Sequence, residues 1–425
     1  MNVKATPKSS ACHRRIDCRL CGSKTLTQVL KLAPTPPANA LVTKEQLGES
    51  EERFPLDVFI CDACSHVQLL DVVNPEVLFR NYVYVSGTSP VFVEHFRKLF
   101  EQIRGRFPVG QSDLVLEIGS NDGTLLRFFK DAGVRVLGID PALKIAEQAT
   151  NQGIPTLPEF FTAERARDLR EKHGPAKVVL ANNVFAHADD LSDIASGIKI
   201  LLADDGVFVF EVSYLVDVVE KTLFDTIYHE HTAYHSVKPL ITFFAQHGLD
   251  FFAAERVNSH GGSLRGFVQH AGGPHGQSPA ARDSLRHLLD LETRMHIHSA
   301  AGFASFEKNI QQLGANLRRC LAELKQSGKT IAGYGAPAKA TTLLHHFGIK
   351  ASDLDYIVDD SPWKQGLYSP GHHIPIVSSD TLVKRQPDYL LVLAWNFAEP
   401  IIQKNKQFSE AGGHFIVPVP ALRVI

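Results

Sequence analysis

Short apolar runs alternate with helical apolar spacing through the middle of the chain. Residues 114–118 are an apolar run bounded by polar residues, which is typical of a buried parallel strand. A glycine-rich turn and helical spacing over residues 124–132 follow, and a second apolar run ends at residue 139. This order predicts a βαβ unit. The same patterns predict further strands at 155–157, 177–181, 206–212 and 266–270, and helices at 90–107, 142–152, 163–172 and 191–202.

The last third of the chain repeats this alternation. A long stretch over residues 280–327 has apolar residues at helical spacing. A second strand, glycine turn and helix begin at residue 330, where Gly333-x-Gly335-x-x-Ala338 opens the helix. Later strands are predicted at 354–358 and 389–394, the second being the last of the core. The sequence therefore predicts an α/β protein with two Rossmann-like modules.

Composition restricts the class of protein. The 425 residues suggest two to three domains, and 44% hydrophobic with 21% charged residues is an ordinary globular balance. The net charge is −2 and no Lys/Arg-rich run occurs, so nucleic acid is not expected as a partner. No apolar run reaches about 18 residues and no signal-peptide pattern opens the chain, so we expect a cytoplasmic protein without a membrane span.

Two Cys-x-x-Cys pairs stand near the N-terminus. Cys18 and Cys21 form the first pair, and Cys61 and Cys64 the second. Four thiolates would complete a tetrahedral zinc site with no open position, so the zinc would be structural. Redox-active dithiols or unligated cysteines are the alternatives. The proline-containing insert between the pairs, residues 22–60, is expected to be a loop excursion.

The first βαβ unit carries a candidate cofactor site. Glu117 ends the first strand, Gly119, Asn121 and Gly123 form the turn, and Asp140 ends the second strand. An acid two residues before the first glycine would repel a pyrophosphate but suits a cationic methionine group, and Asp140 can accept ribose hydroxyls. The pattern resembles the first motif of S-adenosylmethionine methyltransferases, with Asn121 where glycine is usual. Another nucleotide or a ligand-free unit are the alternatives. Further residues expected around the cofactor are Tyr84, Ser86, Pro141, Phe160 and Asn182.

Titratable side chains crowd one later stretch. Residues 228–235 read YHEHTAYH, a density that favours proton transfer over a place in a core helix or strand. The order differs from H-E-x-x-H, and a metal site or a solvated loop are the alternatives. His187 leaves the carboxyl end of a predicted strand, where residues face the ligand, although a structural histidine is also consistent with that place.

Two glycine-rich stretches are candidates for binding a substrate phosphate. The bend at residues 260–265 offers backbone N–H groups, although a simple hairpin turn explains it equally well. The turn at residues 333–338 fits the dinucleotide fingerprint loosely, and we favour a carrier nucleotide over NAD there. The substrate candidates are Ser263, Arg265, Tyr334, Gly335, Lys339 and Asp359.

Together these segments resemble the sugar C-methyltransferases of deoxysugar biosynthesis. The resemblance runs from Cys18 to about Pro418. It is carried by the two Cys-x-x-Cys pairs, FRNYVYVSGT, LEIGSNDG, YHEH, HGGSLR, GYGAPAK and VDDSPWKQGLYSPG. It implies a zinc-binding N-terminal domain, a class I S-adenosylmethionine (SAM) core and a C-terminal Rossmann-like domain. The implied reaction transfers a methyl group to C-3 of a nucleotide-linked 4-keto-6-deoxy sugar.

The resemblance also assigns roles. It places the base that removes the C-3 proton on His231, the assisting groups on Tyr228 and Glu230, and further groups on His187 and Tyr82. Tyr82 and Tyr84 would be a flap over the cofactor or simply linker packing. An O- or N-methyltransferase and a catalytically dead nucleotide-sugar-binding protein are the alternative functions, and a monomer or weak dimer is expected. The expected segments are a disordered lead (1–16), the zinc domain (17–88), the methyltransferase domain (89–272) and the helical and C-terminal domain (273–425).

Overall fold

Two small antiparallel sheets form the N-terminal module. The computed structural model describes residues 11–80, 85–88, 90–277 and 279–425. The strands of this module are β1 (Cys12–Arg14), β2 (Leu26–Thr35), β3 (Phe54–Cys61), β4 (Val67–Leu69) and β5 (Asp71–Val73), followed by helix α1 (Pro75–Phe79). β1 pairs with β5, and β3 lies between β2 and β4.

This module corrects two expectations. The insert between the cysteine pairs is not a loop excursion, because β2 and β3 occupy much of it. In β3, Phe54, Leu56, Val58 and Ile60 are buried at every second position, the period of a strand with one face in a core. The part of the predicted disordered lead that the structure describes contains β1, so that expectation is wrong from residue 12 on.

A seven-stranded sheet forms the centre of the molecule. Its region contains α2 (Pro90–Arg106), β6 (Leu114–Ile118), α3 (Thr124–Asp131), β7 (Arg135–Ile139), α4 (Leu143–Asn151), β8 (Thr156–Leu157), α5 (Ala163–His173), β9 (Ala176–Asn182), α6 (Leu191–Leu201), β10 (Leu202–Ser213), α7 (Leu215–Glu220), β11 (Ala233–Tyr234), α8 (Val237–Gln246), β12 (Leu249–Val257) and β13 (Ser263–His270). The sheet order is β12-β13-β10-β9-β6-β7-β8. β6 to β10 are parallel, and β13 inserts antiparallel between β10 and β12. This is the class I SAM methyltransferase arrangement, and the switch in strand order beside β6 opens the ligand crevice.

A second α/β sheet forms the C-terminal module. Its elements are α9 (Pro279–Arg294), α10 (Ala304–Gln326), β14 (Ile331–Tyr334), α11 (Ala338–Phe347), β15 (Ile357–Val358), β16 (Ile376–Val377), α12 (Thr381–Lys384), β17 (Tyr389–Val392), α13 (Ala398–Lys404), α14 (Lys406–Glu410), β18 (His414–Val417) and β19 (Arg423–Val424). The sheet order is β16-β15-β14-β17-β18-β19. The sequence predicts that β17 is the last core strand. That prediction is wrong, because β18 pairs beside β17. The predicted helical stretch is two helices, separated by a turn in which His296 has a positive φ of 54°.

Contacts between the three modules converge on one place. β11 leaves the central region and pairs with β4 of the N-terminal sheet. On α11, the Thr341 hydroxyl donates to the carbonyl of Ala38 at 3.0 Å, and the Thr342 hydroxyl donates to the carbonyl of Ile227 at 2.8 Å. The first turns of α11 are therefore fixed against both other modules. Within the described ranges, no helix is long and apolar enough to cross a membrane.

Candidate active site

A cavity of about 530 Å³ lies where the carboxyl edge of the central sheet faces the start of α11. Residues from all three modules line it. The predicted site residues along its wall are Ser86, Glu117, Gly119, Asn121, Asp140, Pro141, Phe160, Asn182, His187, Tyr228, His231 and Lys339. Tyr82 and Tyr84 lie outside the described residues.

The four cysteines of the N-terminal module form a cluster. All four sulfur atoms lie within 4.8 Å of one another, with Cys18 Sγ 3.5 Å from Cys64 Sγ and Cys21 Sγ 3.6 Å from Cys61 Sγ. Zinc–thiolate bonds of about 2.3 Å in a tetrahedron place the sulfurs ~3.8 Å apart, which these distances match. The donor set therefore fits one zinc ion with every position filled.

The same turn follows each cysteine pair. The N–H of Gly22 donates to the carbonyl of Cys18 at 2.9 Å, and the N–H of Ser65 donates to the carbonyl of Cys61 at 2.8 Å. Gly22 and Ser65 both have positive φ, 70° and 68°. Each pair is thus one knuckle, and the two knuckles face each other.

The turn after β6 presents a concave backbone to the cavity. Asn121 has a φ of 51°, a conformation that asparagine tolerates better than most residues, so it can stand where glycine is usual. Its side-chain oxygen accepts from the N–H of Ser86 at 2.9 Å, which fixes the linker from the N-terminal module over the turn. Gly119 has a φ of 65°, and a Cβ there would lie 2.3 Å from Val184 Cγ2. Gly123 caps α3 and does not line the cavity.

Two buried carboxyl groups mark the cofactor side. Burial raises the pKa of Glu117 well above its usual value, and Asn182 donates to its Oε1 at 3.3 Å. Glu117 Oε2 is buried and has no hydrogen-bond partner among the described residues, so a ligand cation would satisfy it. Asp140 Oδ2 accepts from the N–H of Asn121 and Oδ1 from the N–H of Ala142, each at 2.8 Å. Because each carboxylate oxygen can accept twice, Asp140 retains acceptor capacity for a hydroxyl. This pair of acids fits SAM.

Phe160 and Pro141 form the far wall of the cofactor side. The guanidinium of Arg80 lies 5.1 Å from the centroid of the Phe160 ring and donates to the carbonyl of Pro141 at 3.4 Å. Arg80, at the end of α1, therefore fixes an aromatic face where a flat ring could stack. The sequence reasoning named Phe160 but not the arginine that holds it.

His231 lines the same cavity and is half-buried. Its Nδ1 is 2.8 Å from the carbonyl of Thr226, which can only accept, so Nδ1 carries the proton. In the neutral ring Nε2 is then an acceptor, and the Tyr228 hydroxyl lies 3.1 Å from it. Burial lowers the pKa of His231 to about 4, and the positive charge of Lys339 adds to this effect. His231 is therefore a neutral imidazole near pH 7, with an unprotonated nitrogen.

Two further histidines border the same space. His187 stacks on His231, with ring centroids 5.0 Å apart, and burial holds its pKa well below the usual value. Its Nε2 is buried with no partner among the described residues. His260 lines the cavity from the β12–β13 turn, and burial lowers its pKa to about 3. His260 was part of a motif that the sequence reasoning treated only as a glycine-rich bend.

Glu230 does not line the cavity, and its predicted assisting role is therefore indirect. Its Oε1 accepts from the side-chain amide of Asn39 at 2.7 Å. Asn39 itself lines the cavity, and it comes from the insert between the cysteine pairs. No local pattern marked Asn39, because its relevance depends on how the N-terminal module docks.

The bend at residues 260–265 is a hairpin turn between β12 and β13. Arg265 is buried and pairs with Glu211 at 2.5 Å and Glu255 at 2.8 Å, and it does not line the cavity. Ser263 is fully buried and donates to the carbonyl of Ser259 at 3.2 Å. The structure thus contradicts the expectation that these two residues bind a phosphate, since their polar atoms are engaged inside the protein.

The C-terminal candidates separate into two groups. Tyr334, Gly335 and Asp359 lie behind the cavity wall: the Tyr334 hydroxyl donates to Asp360 at 3.2 Å, and Asp359 accepts from the N–H of Ala336 at 2.7 Å. Lys339, in contrast, lines the cavity, and its charge lowers the pKa of both His231 and His260. Lys339 therefore shares the cavity with His231 and His260.

The family models that match the chain agree with this architecture. Residues 18–79 match a family described as "Putative zinc binding domain", residues 92–253 match "Methyltransferase domain" and residues 258–420 match "C-methyltransferase C-terminal domain". Among solved structures, the magnesium protoporphyrin IX methyltransferase of Synechocystis with bound SAM is 14% identical with a TM-score of 0.31, covering 42% of this chain and 79% of that one. A SAM-dependent methyltransferase of Clostridium acetobutylicum is 13% identical with a TM-score of 0.34, covering 42% of this chain and 91% of that one.

One curated relative matches over nearly the whole length. The chain is 38% identical over 409 residues to "C-methyltransferase NovU" of Streptomyces niveus, and the match covers 96% of each protein. A match of this extent spans all three modules. The chain therefore belongs to the SAM-dependent C-methyltransferases and is built from a zinc-binding N-terminal domain, a class I methyltransferase core and a C-terminal α/β domain.

Proposed function

We propose that the protein methylates C-3 of a nucleotide-linked 4-keto-6-deoxy sugar, with His231 as the base. The observation that carries this proposal is a neutral imidazole in the same cavity as the cofactor acids. His231 holds its proton on Nδ1, while Glu117 and Asp140 line the same cavity. SAM supplies the electrophilic methyl group, and carbon becomes a nucleophile only after a proton is removed.

The base and its neighbours suit a carbon acid. A ketone at C-4 acidifies the C-3 proton, and His231 Nε2 faces the cavity with a free lone pair when the Tyr228 hydroxyl turns toward the substrate. Tyr228 can then donate to the C-4 oxygen, where negative charge develops. His187 stacks on the imidazole and restricts its orientation.

The substrate's carrier is assigned to the C-terminal domain in this proposal. The sugar would reach His231 past the start of α11, with its nucleotide toward the surface of that domain. The resemblance to sugar C-methyltransferases supports the sugar and the C-3 position. Four cysteines arranged as zinc ligands rather than as disulfides support the reducing cytoplasm as the compartment. An O- or N-methyltransferase would not need the ketone, so the reduced sugar distinguishes it.

Solvent exchange tests the base directly. In D₂O, without a methyl donor, the wild-type protein should replace the C-3 proton of the keto sugar with deuterium, observed by NMR. We expect His231→Ala to lower the exchange rate by ~10²–10⁴-fold while both ligands still bind. His247→Ala is a matched control, because His247 does not line the cavity. Exchange by His231→Ala at the wild-type rate would remove His231 from the role, and methylation of the reduced sugar would refute the carbon-acid reaction.

A further inference from the structure

The cavity has a cation at its reacting end. The two lysines along its wall are Lys339 and Lys364. Lys364 donates to the carbonyl of Ala336 at 2.8 Å and lies 3.9 Å from Asp359, so its charge is directed into the C-terminal domain. Lys339 is buried, and its positive charge lowers the pKa of His231 and of His260. Since all three cavity histidines are neutral near pH 7, Lys339 supplies the positive charge at this end.

Three residues hold the Lys339 ammonium in place. Nζ donates to Asn396 Oδ1 at 2.6 Å and lies 4.2 Å from the centroid of the Trp395 ring. The indole N–H of Trp395 donates to Asp225 Oδ2 at 2.5 Å, and Asp225 is fully buried. A cation–π contact and one hydrogen bond fix the group but use only part of its three donors. The Lys339 ammonium therefore has an N–H available at the cavity wall, and this N–H can donate to an anionic or carbonyl oxygen of a ligand.

We propose that Lys339 is a catalytic residue that stabilises the enolate oxygen formed at C-4 of the substrate, rather than a ligand of the carrier nucleotide. This inference rests on the proposed function above. When the C-3–H bond breaks, the proton goes to His231 Nε2 and the electron pair moves through C-4 onto the oxygen. The fixed ammonium then offsets that charge without rearranging. When the new carbon–carbon bond forms, the pair returns from the oxygen and the methyl sulfonium bond breaks toward sulfur.

The placement of Lys339 on α11 gives the C-terminal domain a part in the chemistry. The hydroxyls of Thr341 and Thr342, on the same helix, bond to carbonyls of the other two modules. Lys339 is therefore fixed relative to His231, as an enolate-stabilising group requires. A nucleotide ligand would more suitably lie at the surface of the domain, where a diphosphate keeps its hydration.

C-3 exchange in D₂O separates this inference from the proposed function. If wild type exchanges the C-3 proton, the function stands, and Lys339→Met should then exchange ~10²–10³-fold more slowly. Binding of SAM and of the free nucleoside diphosphate, measured by calorimetry, should stay within about twofold of wild type. Lys404→Met is the matched control, because Lys404 is a half-exposed lysine of the same domain, paired with Asp360 and outside the cavity wall.

The pH profile supplies a readout that a merely structural lysine would not move. Burial lowers the pKa of Lys339 to about 8, and Asp225 opposes that shift. The groups facing it are Asp225, His231 and His260, with Lys364 farther along the wall. Exchange by wild type should therefore fall as the pH rises through about 8, because the ammonium is lost. Asp225→Asn removes the opposing charge, so this alkaline limb should move to lower pH.

Three outcomes would overturn the inference while leaving the proposed function intact. The first is wild-type exchange by Lys339→Met. The second is weaker nucleoside diphosphate binding by Lys339→Met with an unchanged exchange rate for bound substrate, which would assign Lys339 to the carrier. The third is a covalent adduct on Lys339 after borohydride treatment with the keto sugar, which would replace electrostatic stabilisation by an iminium. Absence of exchange by wild type would instead contradict the proposed function.

Discussion

Single buried groups in this molecule owe their charge state to their surroundings. Glu117 is almost completely buried, and burial raises its pKa well above the usual value, which favours the protonated carboxyl. His231 and Lys339 are shifted in the direction of their neutral forms by the same cause. Burial therefore disfavours the charged form of each group, which keeps His231 unprotonated and means that a cation bound beside Glu117 must displace its proton.

Glu117→Gln should weaken SAM binding by about 10- to 100-fold, because a charge-assisted contact to the cofactor's amino group is lost. The wild-type affinity should also rise with pH, since binding a cation favours the deprotonated carboxylate and releases a proton. Calorimetry in buffers of different ionisation enthalpy would measure this proton release.

The glutamine variant should show a weaker pH dependence. Glu147→Gln, at an exposed position on α4, is the control and should bind as wild type. Unchanged affinity in Glu117→Gln would show that Glu117 does not contact the cofactor.

At the scale of the elements, the glycine-rich bend between β12 and β13 is required for packing. Gly262 has a φ of 146°, and a Cβ there would lie 2.1 Å from Asp217 Cγ. Asp217 is buried and accepts from Arg256 at 2.7 Å and 3.0 Å. Because Gly262 has no side chain, the hairpin turn can pack directly against the Asp217–Arg256 ion pair. The same turn places His260 in the cavity wall.

Gly262→Ala should therefore destabilise the protein by about 2–4 kcal/mol, because it combines a disfavoured backbone conformation with a clash against a buried ion pair. Gly272→Ala is the matched control: Gly272 also has a positive φ, 81°, but nothing lies within 4 Å of its Cβ position. That variant should lose only ~1–2 kcal/mol. Urea titrations would compare the two free energies of unfolding, and equal losses would exclude the clash.

At the scale of the whole molecule, the zinc module contacts the segment that carries His231. β4, which begins three residues after Cys64, pairs with β11, which begins two residues after His231. Asn39 of the same module reaches the cavity wall and bonds to Glu230. The sheet beside the four cysteines and the segment that carries Asn39 therefore both contact the stretch 228–235, which contains His231.

Removing the zinc, by chelation or by Cys18→Ser, should lower the melting temperature and the rate of C-3 exchange together, because the loop loses its support. Metal content, thermal unfolding and exchange would be measured on the same samples, and added zinc should restore all three after chelation. Cys320→Ser is the control, because Cys320 lies on α10 away from the cluster. A zinc-free protein that melts and exchanges as wild type would contradict this support.

The sequence by itself determined the features that depend on neighbours in the chain. The two Cys-x-x-Cys pairs, the turn from Glu117 to Asp140 and the Tyr228–His231 loop were all found, because short spacing along the chain fixes spacing in space. β6 and α11 were placed correctly for the same reason. Only the tertiary structure decided which distant groups meet: Asn39 with Glu230, Lys339 with Asn396, and Arg265 with Glu211 instead of a phosphate. Those pairings depend on how the three modules pack against one another and on how the strands are ordered in the central sheet. Residues that meet in this way are far apart in the chain, so no local spacing or periodicity in the sequence predicts their contact.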